Sequence, residues 1–181
     1  MNRRLFLTMP LGATALIANA ATDRPTKGFK VEAGKDRFQE EMQIMGGKFQ
    51  CKVSSKDSGG DLLIYDTSRH EKGGPALHLH HNQDEWFYVM KGEFIVKVGD
   101  DTFTLKPGDS AFAPRKVPHA FAMTSEGEGQ MTVLFQPAGE MEHFFNEMAT
   151  LGSSIPKDQE TKLKDLWARH GMQIVGPPLK F

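Results

Sequence analysis

Gly74-Pro75-Ala76-Leu77-His78-Leu79-His80-His81-Asn82-Gln83-Asp84-Glu85-Trp86-Phe87-Tyr88-Val89-Met90-Lys91-Gly92 is the stretch on which the fold turns. Side chains two apart on an extended strand share a face, so His78 and His80 aim at one point. Glu85 opens the next apolar run, Glu85 to Met90, and faces them across a short loop at His81 to Asp84. A second stretch, Gly108-Asp109-Ser110-Ala111-Phe112-Ala113-Pro114-Arg115-Lys116-Val117-Pro118-His119, supplies a third imidazole. Three neutral imidazoles and one carboxylate suit a divalent transition ion. The absence of cysteine from this set argues against a closed structural zinc site, which usually draws on thiolates.

Working outward, Gly46 to about Pro137 reads as short apolar runs separated by turn signals. The runs are Lys48–Val53, Asp61–Thr67, Pro75–His80, Glu85–Met90, Phe94–Val98, Thr102–Leu105, Ser110–Ala113, His119–Met123 and Met131–Phe135. Gly99-Asp100-Asp101 is a tight hairpin signal. Strands this short and regular predict a sandwich or barrel. After Pro137 the period changes. Met141, Phe144, Phe145 and Met148 fall at helical spacing, as do Leu163, Leu166, Trp167 and His170. The second helix is expected to start near Ser154, with Pro156 in its first turn and Gly171 as its stop. Gly176-Pro177-Pro178-Leu179 reads as a rigid tail that cannot continue a helix.

The two stretches resemble the paired motifs of the cupin superfamily, G-x5-H-x-H-x(3,4)-E-x6-G and G-x5-P-x-G-x2-H-x3-N. His78, His80, Glu85 and Gly92 match the first, with Gly73 or Gly74 one or two residues close to the leading position. Gly108, Pro114 and His119 match the second, while Lys116 stands for the usual Gly and Met123 for the usual Asn. The resemblance implies an all-β fold: a double-stranded β-helix, the cupin jelly-roll barrel, followed by C-terminal α-helices. It implies one divalent transition metal ion (Fe, Mn, Ni, Cu or Zn) on His78, His80, Glu85 and His119. The helices and Gly-Pro-Pro-Leu tail resemble cupins of the quercetin-dioxygenase-like kind, in which the matching Glu also acts as a base. Glu85 inherits that catalytic role by position, and the task would need its pKa raised toward neutrality. Homodimer formation is a further implication, with exposed sheet edges as its physical motive.

Alternation along the strands predicts the pocket wall. If Glu85 points inward, so do Phe87 and Val89; His119 brings Phe121 and Met123, and His78 brings Ala76. The expected cavity is apolar with one charged centre, which suits a small molecule. One carboxylate against a divalent ion leaves +1, so an anionic enolate or carboxylate would bind well. His81 is expected to be exposed or to sit behind the ligands. His70, His143 and His170 are expected on the surface or on helix faces, and Asp84 as a solvated charge. Three functions follow. The first is a metal-dependent dioxygenase, an oxidoreductase acting on a small enolic or phenolic substrate. The second is a non-redox isomerase, for which Arg115 and Lys116 are the candidate basic residues. The third is a binding protein without turnover.

Composition frames these readings. The 181 residues suit one domain, and 39% hydrophobic content with 25% charge is enough for a core. A net charge of −1 offers no basic patch for nucleic acid or an anionic membrane surface. Asn2-Arg3-Arg4-Leu5-Phe6-Leu7, the apolar stretch to Ile17 and Ala18-Asn19-Ala20 read as a twin-arginine signal with its cleavage site. The expected destination is the periplasm or the exterior. The apolar stretch is short for a bilayer span. Cys51 is the single cysteine, so no intrachain disulfide forms, and its expected role is packing. The predicted organisation is a signal at 1–20, an arm or edge strands at 21–45, the barrel at 46–137 and a helical extension at 138–181.

Overall fold

The computed structural model describes residues 24–151 and 160–181. The expected signal at 1–20 and the expected helix start near Ser154 lie outside them. Eleven strands and three helices follow in order among the described residues. They are β1 (Met42–Ile44), β2 (Gly47–Val53), α1 (Ser55–Ser58), β3 (Leu63–Arg69), β4 (Ala76–His80), β5 (Asp84–Lys91) and β6 (Phe94–Val98). Then come β7 (Asp101–Leu105), β8 (Ser110–Ala113), β9 (His119–Met123), β10 (Gly129–Gln136), α2 (Met141–Thr150), α3 (Glu160–Arg169) and β11 (Met172–Pro178).

The strands form two antiparallel sheets, ordered β1-β2-β3-β10-β5-β8 and β11-β4-β9-β6-β7. Inward residues alternate with outward ones as a half-buried strand requires: in β10, Met131, Val133 and Phe135 are buried while the residues between them are not. Such inner faces make one continuous core, the jelly-roll arrangement anticipated above. The hairpin at Gly99-Asp100 forms as read, with Val98 opposite Asp101 and Gly99 at φ 60.

Two glycines hold the sheets at close range. A Cβ on Gly74 would collide with the Phe121 carbonyl oxygen and lie 2.8 Å from its carbon. This close approach lets the lead-in to β4 pass over β9, where Gly73 and Met123 bond reciprocally at 3.0 Å. A Cβ on Gly129 would lie 2.9 Å from the Phe94 ring.

The helices close one end of the barrel. Met141, Phe144, Phe145 and Met148 are buried, the face that the spacing predicted. Phe145 packs on Phe49, Tyr65 and Phe135, with ring centroids 5.1 to 5.7 Å apart. The α2 N-terminus is tied to the start of α1 through Glu142, which accepts from Ser54 Oγ at 2.7 Å and from the Ser55 backbone N–H at 3.0 Å. Glu147 ties α2 to the end of α3, accepting from Arg169 at 2.6 Å and pairing with His170 at 2.8 Å. Gly171, at φ 77, ends α3 where expected.

Three sequence expectations change. The Gly176-Pro-Pro segment is not a free tail: β11 returns to pair with β4, setting Met172 opposite His80 and Ile174 opposite His78. It is an edge strand, where prolines lose no ladder bond that the sheet needs. The boundary between 45 and 46 cuts a hairpin, because Met45 (φ 48) and Gly46 (φ 75) are the two turn residues between β1 and β2. Between the Lys48–Val53 and Asp61–Thr67 runs, where only a turn was expected, Ser54–Gly60 holds the one-turn helix α1, capped reciprocally by Ser54 and Asp57.

Candidate metal centre

Each ligand candidate sits where a strand must deliver it. His78 and His80 are the inward residues of β4, and His119 opens β9 directly opposite His78. Glu85 enters from the other sheet, near the start of β5, opposite Phe135 on one side and Ala113 on the other. The four predicted residues therefore converge from three strands across the barrel. Their ligand atoms lie within 4.8 Å of one another and all four are buried. His81 is exposed, with only its backbone N–H engaged, on the Gly171 carbonyl at 2.9 Å.

The hydrogen bonds around the rings settle which nitrogens are available. His78 Nδ1 donates to the Ala76 carbonyl at 2.7 Å, and His119 Nδ1 to the Val117 carbonyl at 2.9 Å. A carbonyl only accepts, so each Nδ1 carries the proton and each Nε2 is left toward the centre. His119 Nε2 is 2.9 Å from Glu85 Oε2 and His80 Nε2 is 3.3 Å from the same oxygen. Both nitrogens of His80 are buried without a hydrogen bond. A buried imidazole left so is costly unless something else takes its lone pair. The donor set, its spacing and this orphaned ring fit a divalent cation of the borderline-soft kind.

Burial dominates the proton equilibria. It holds the His78 imidazole down to about 3, with the His119 and His80 rings acting in the same direction. For His119 burial also works downward, but the hydrogen bond and charge of Glu85 win and its pKa is raised. For Glu85 burial works upward, yet the His119 and His80 imidazoles outweigh it and hold the carboxyl well below the usual range. That direction keeps Glu85 anionic, as a metal ligand must be, whereas a base poised near neutrality needs the opposite shift. The Cys51 thiol is pushed up to about 12 by burial, in keeping with packing.

Beside the four residues lies a cavity of about 80 Å³. On a scale where one water needs roughly 10–15 Å³, it admits about six waters or one small ring. Of the five expected wall residues, Phe121 alone lines it. Phe87, Val89 and Met123 do point inward, but they are fully buried and fill the barrel away from the cavity, Phe87 standing edge-on to His119 and Phe121. Ala76 uses its carbonyl to fix His78 instead of offering a wall. The opening lies on the side of β1, β3 and the helices, where Phe49, Phe135, Phe144, Phe145, Met148 and Trp167 form the wall. Trp167 stands edge-on to His78 at 4.8 Å. The helix stripes were read as packing only; they pack and also wall the cavity.

The basic residues proposed for an isomerase do not line this cavity. Arg115 is spent on Asp84, to which its Nε and Nη2 donate at 3.0 and 2.6 Å. Asp84 is therefore a paired charge, not a free solvated one, and Arg115 is the first cause of its lowered pKa. Lys116 is exposed and adopts φ 66, the left-handed conformation that the glycine of the motif would take freely. The Val117 N–H donates to the Pro114 carbonyl at 3.1 Å, and Lys116 N–H donates to the His80 carbonyl at 2.7 Å, so this turn is welded to a ligand strand. Lys116→Gly should raise stability by about 0.5–1 kcal/mol, the left-handed penalty less the added unfolded-state entropy of glycine. Urea midpoints of the two proteins check this; a lower midpoint for the variant contradicts it.

Residues 68–135 match the family model described as "Cupin domain", and all four ligand candidates fall inside that range. An uncharacterized protein of Methanocaldococcus jannaschii is 33% identical over 43 residues, covering 24% of this chain and 34% of that protein. The chain thus spans about a third of that curated relative's length. Among solved structures, an RmlC-like cupin from Shewanella frigidimarina is 26% identical with a TM-score of 0.51, over 65% of this chain and 96% of that one. KdgF from Halomonas sp. is 23% identical with a TM-score of 0.48, over 56% and 91% of the two chains. With two apposed antiparallel sheets, a His-His-Glu-His cluster between them and a domain match over the strands that carry it, residues 68–135 of this chain are a cupin domain.

Proposed function

We propose that this protein is a metal-dependent oxidoreductase, dioxygenase-like, acting on a small enolic or phenolic compound. One observation carries the reading: four ligand atoms lie buried within 4.8 Å of one another, and three of the residues that offer them, His78, His80 and Glu85, line a small apolar cavity. His78, His80, Glu85 and His119 would hold the ion. An ion held there would supply Lewis acidity and, if redox-active, a route for electrons to dioxygen.

The chain's own contributions are definite. The Ala76 and Val117 carbonyls fix the tautomer and tilt of His78 and His119, so their Nε2 atoms need no reorganisation. Glu85, already ionised, supplies the single negative charge. The aromatic wall sets Trp167 edge-on against His78, which limits how far that ring can turn. The cavity's size favours a catechol or a diketone over a flavonol.

Oxygen uptake by the metal-loaded protein with catechol, acetylacetone and quercetin tests the reading. We expect consumption with catechol or acetylacetone that disappears when a chelator strips the ion. No uptake with all three would sink the oxidoreductase proposal. Anaerobic conversion of the substrate would then point to isomerase chemistry, and its absence to a binding protein.

A further inference from the structure

Arg69 is an unusual residue for its position. It ends β3 on the inward face, in register with buried Leu63 and Tyr65. Its neighbours across both flanking strands are glycines, Gly47 on β2 and Gly129 on β10, so no side chain crowds the guanidinium. It lines the same cavity as His78, His80 and Glu85. Inward-facing charges are rare unless paired.

Arg69 has no such pair. Arg24, Arg37, Arg115 and Arg169 each form an ion pair with a carboxylate. Arg69 is the one described arginine that does not. Its Nε donates to the Glu71 carbonyl at 3.0 Å and its Nη2 to the Met45 carbonyl at 3.2 Å. Those two bonds hold the fork in place without a direct ion pair, and Nη1 has no hydrogen-bond partner among the described residues. Burial is the first cause acting on it and lowers its pKa, and the charge of the Glu71 carboxylate opposes this from beyond ion-pair distance, so the cation is partly desolvated. Trp167, which also lines the cavity, carries a second donor without an acceptor, its buried indole N–H. The rest of the wall is mostly aromatic and aliphatic, with no free carboxylate beyond Glu85. The cavity is thus short of negative charge and hydrogen-bond acceptors, and an occupant should bring both.

We propose that the occupant is a small organic carboxylate, its apolar body lying among the aromatic rings and its carboxylate pairing with Arg69. A planar fork matches a carboxylate with two parallel hydrogen bonds, which no lysine could imitate. This rests on the reading of the cavity as the substrate site, and it narrows the enolic or phenolic class to compounds that also carry an acid group.

Benzoate and its neutral isostere benzamide are the probes, titrated calorimetrically into the full chain in zinc-loaded and in metal-stripped form. Wild type should bind benzoate at least about tenfold more tightly than benzamide in both forms. Arg69→Met should lose that preference and leave benzamide unchanged. Arg69→Gln, which can still donate to the backbone carbonyls, is the second variant in case the first fails to fold, and it should lose the preference too. Wild type without a preference overturns the proposal. So does a preference that survives in both variants, or one seen in the zinc-loaded form alone, since the carboxylate would then be bound at the His-Glu centre. Those last results would leave the metal reading standing. Failure of the protein to take up zinc would sink the metal reading, while the metal-stripped titration would still decide the role of Arg69.

Discussion

Glu85→Gln is expected to empty the metal centre. The substitution keeps the shape of the side chain and removes its charge. Wild type offers a divalent ion three neutral imidazoles and one anion, all buried. Without the anion, the full ionic charge must be carried among buried neutral groups, which costs far more than the loss of one neutral ligand. Changing a residue that merely orients a ligand typically costs 10–100-fold in metal affinity, so losing the only charged ligand should cost at least about a hundredfold. Competition with a chromophoric chelator gives the number. The fold should survive, because the Gln amide N–H can donate to His119 Nε2, now 2.9 Å from the carboxylate. A variant that retains metal as wild type does would remove Glu85 from the ligand set.

Gly74→Ala should be the most damaging change outside the centre. A new Cβ would run into the Phe121 carbonyl, which is backbone and cannot rotate away. Either β4 lifts from β9 or β9 bends. The register between them is held by the facing pair His78 and His119 and by the Gly73 and Met123 bonds, so lifting β4 also pulls two ligands apart. Overpacking of cores costs about 1–3 kcal/mol when side chains absorb it, and a backbone clash should exceed that range. We expect soluble yield to collapse, or a urea midpoint lowered by more than about 3 kcal/mol equivalent, with metal retention lost in parallel. Gly73→Ala is the control for space. A Cβ there meets nothing within 4 Å, although φ 111 imposes its own smaller strain. Equal damage in both variants would show that backbone conformation, not the approach to Phe121, is what matters.

The ligand set was legible because it is written in strand period: His78 and His80 two apart, Glu85 past a short loop, His119 after a second turn. Such spacing survives folding unchanged. The helical faces of α2 and α3 were legible for the same reason. What escaped the sequence depends on pairing between distant segments. Pro177 and Pro178 read as breakers because nothing local says that β11 lies at a sheet edge, where their missing N–H groups are harmless. Phe87, Val89 and Met123 were correctly turned inward, but alternation reports the face and not the depth along the barrel axis. It could not say which part was filled and which opened beneath the helices. Asp84 was read as solvated because its partner, Arg115, is 31 residues away. Arg69 was readable in principle, since Leu63, Tyr65, Thr67 and Arg69 alternate. The signal was lost because the expected run ended at Thr67. Lys116 shows the converse: the motif marks a position needing a left-handed turn, and the chain adopts that turn with the wrong residue.

Elemental analysis of the protein purified from its own host should find one redox-active transition ion per chain, iron, manganese, nickel or copper, with His80→Ala prepared alongside and carrying less than about a tenth as much. A wild-type protein that arrives without metal, or a His80→Ala protein loaded as fully as wild type, would contradict the metal assignment.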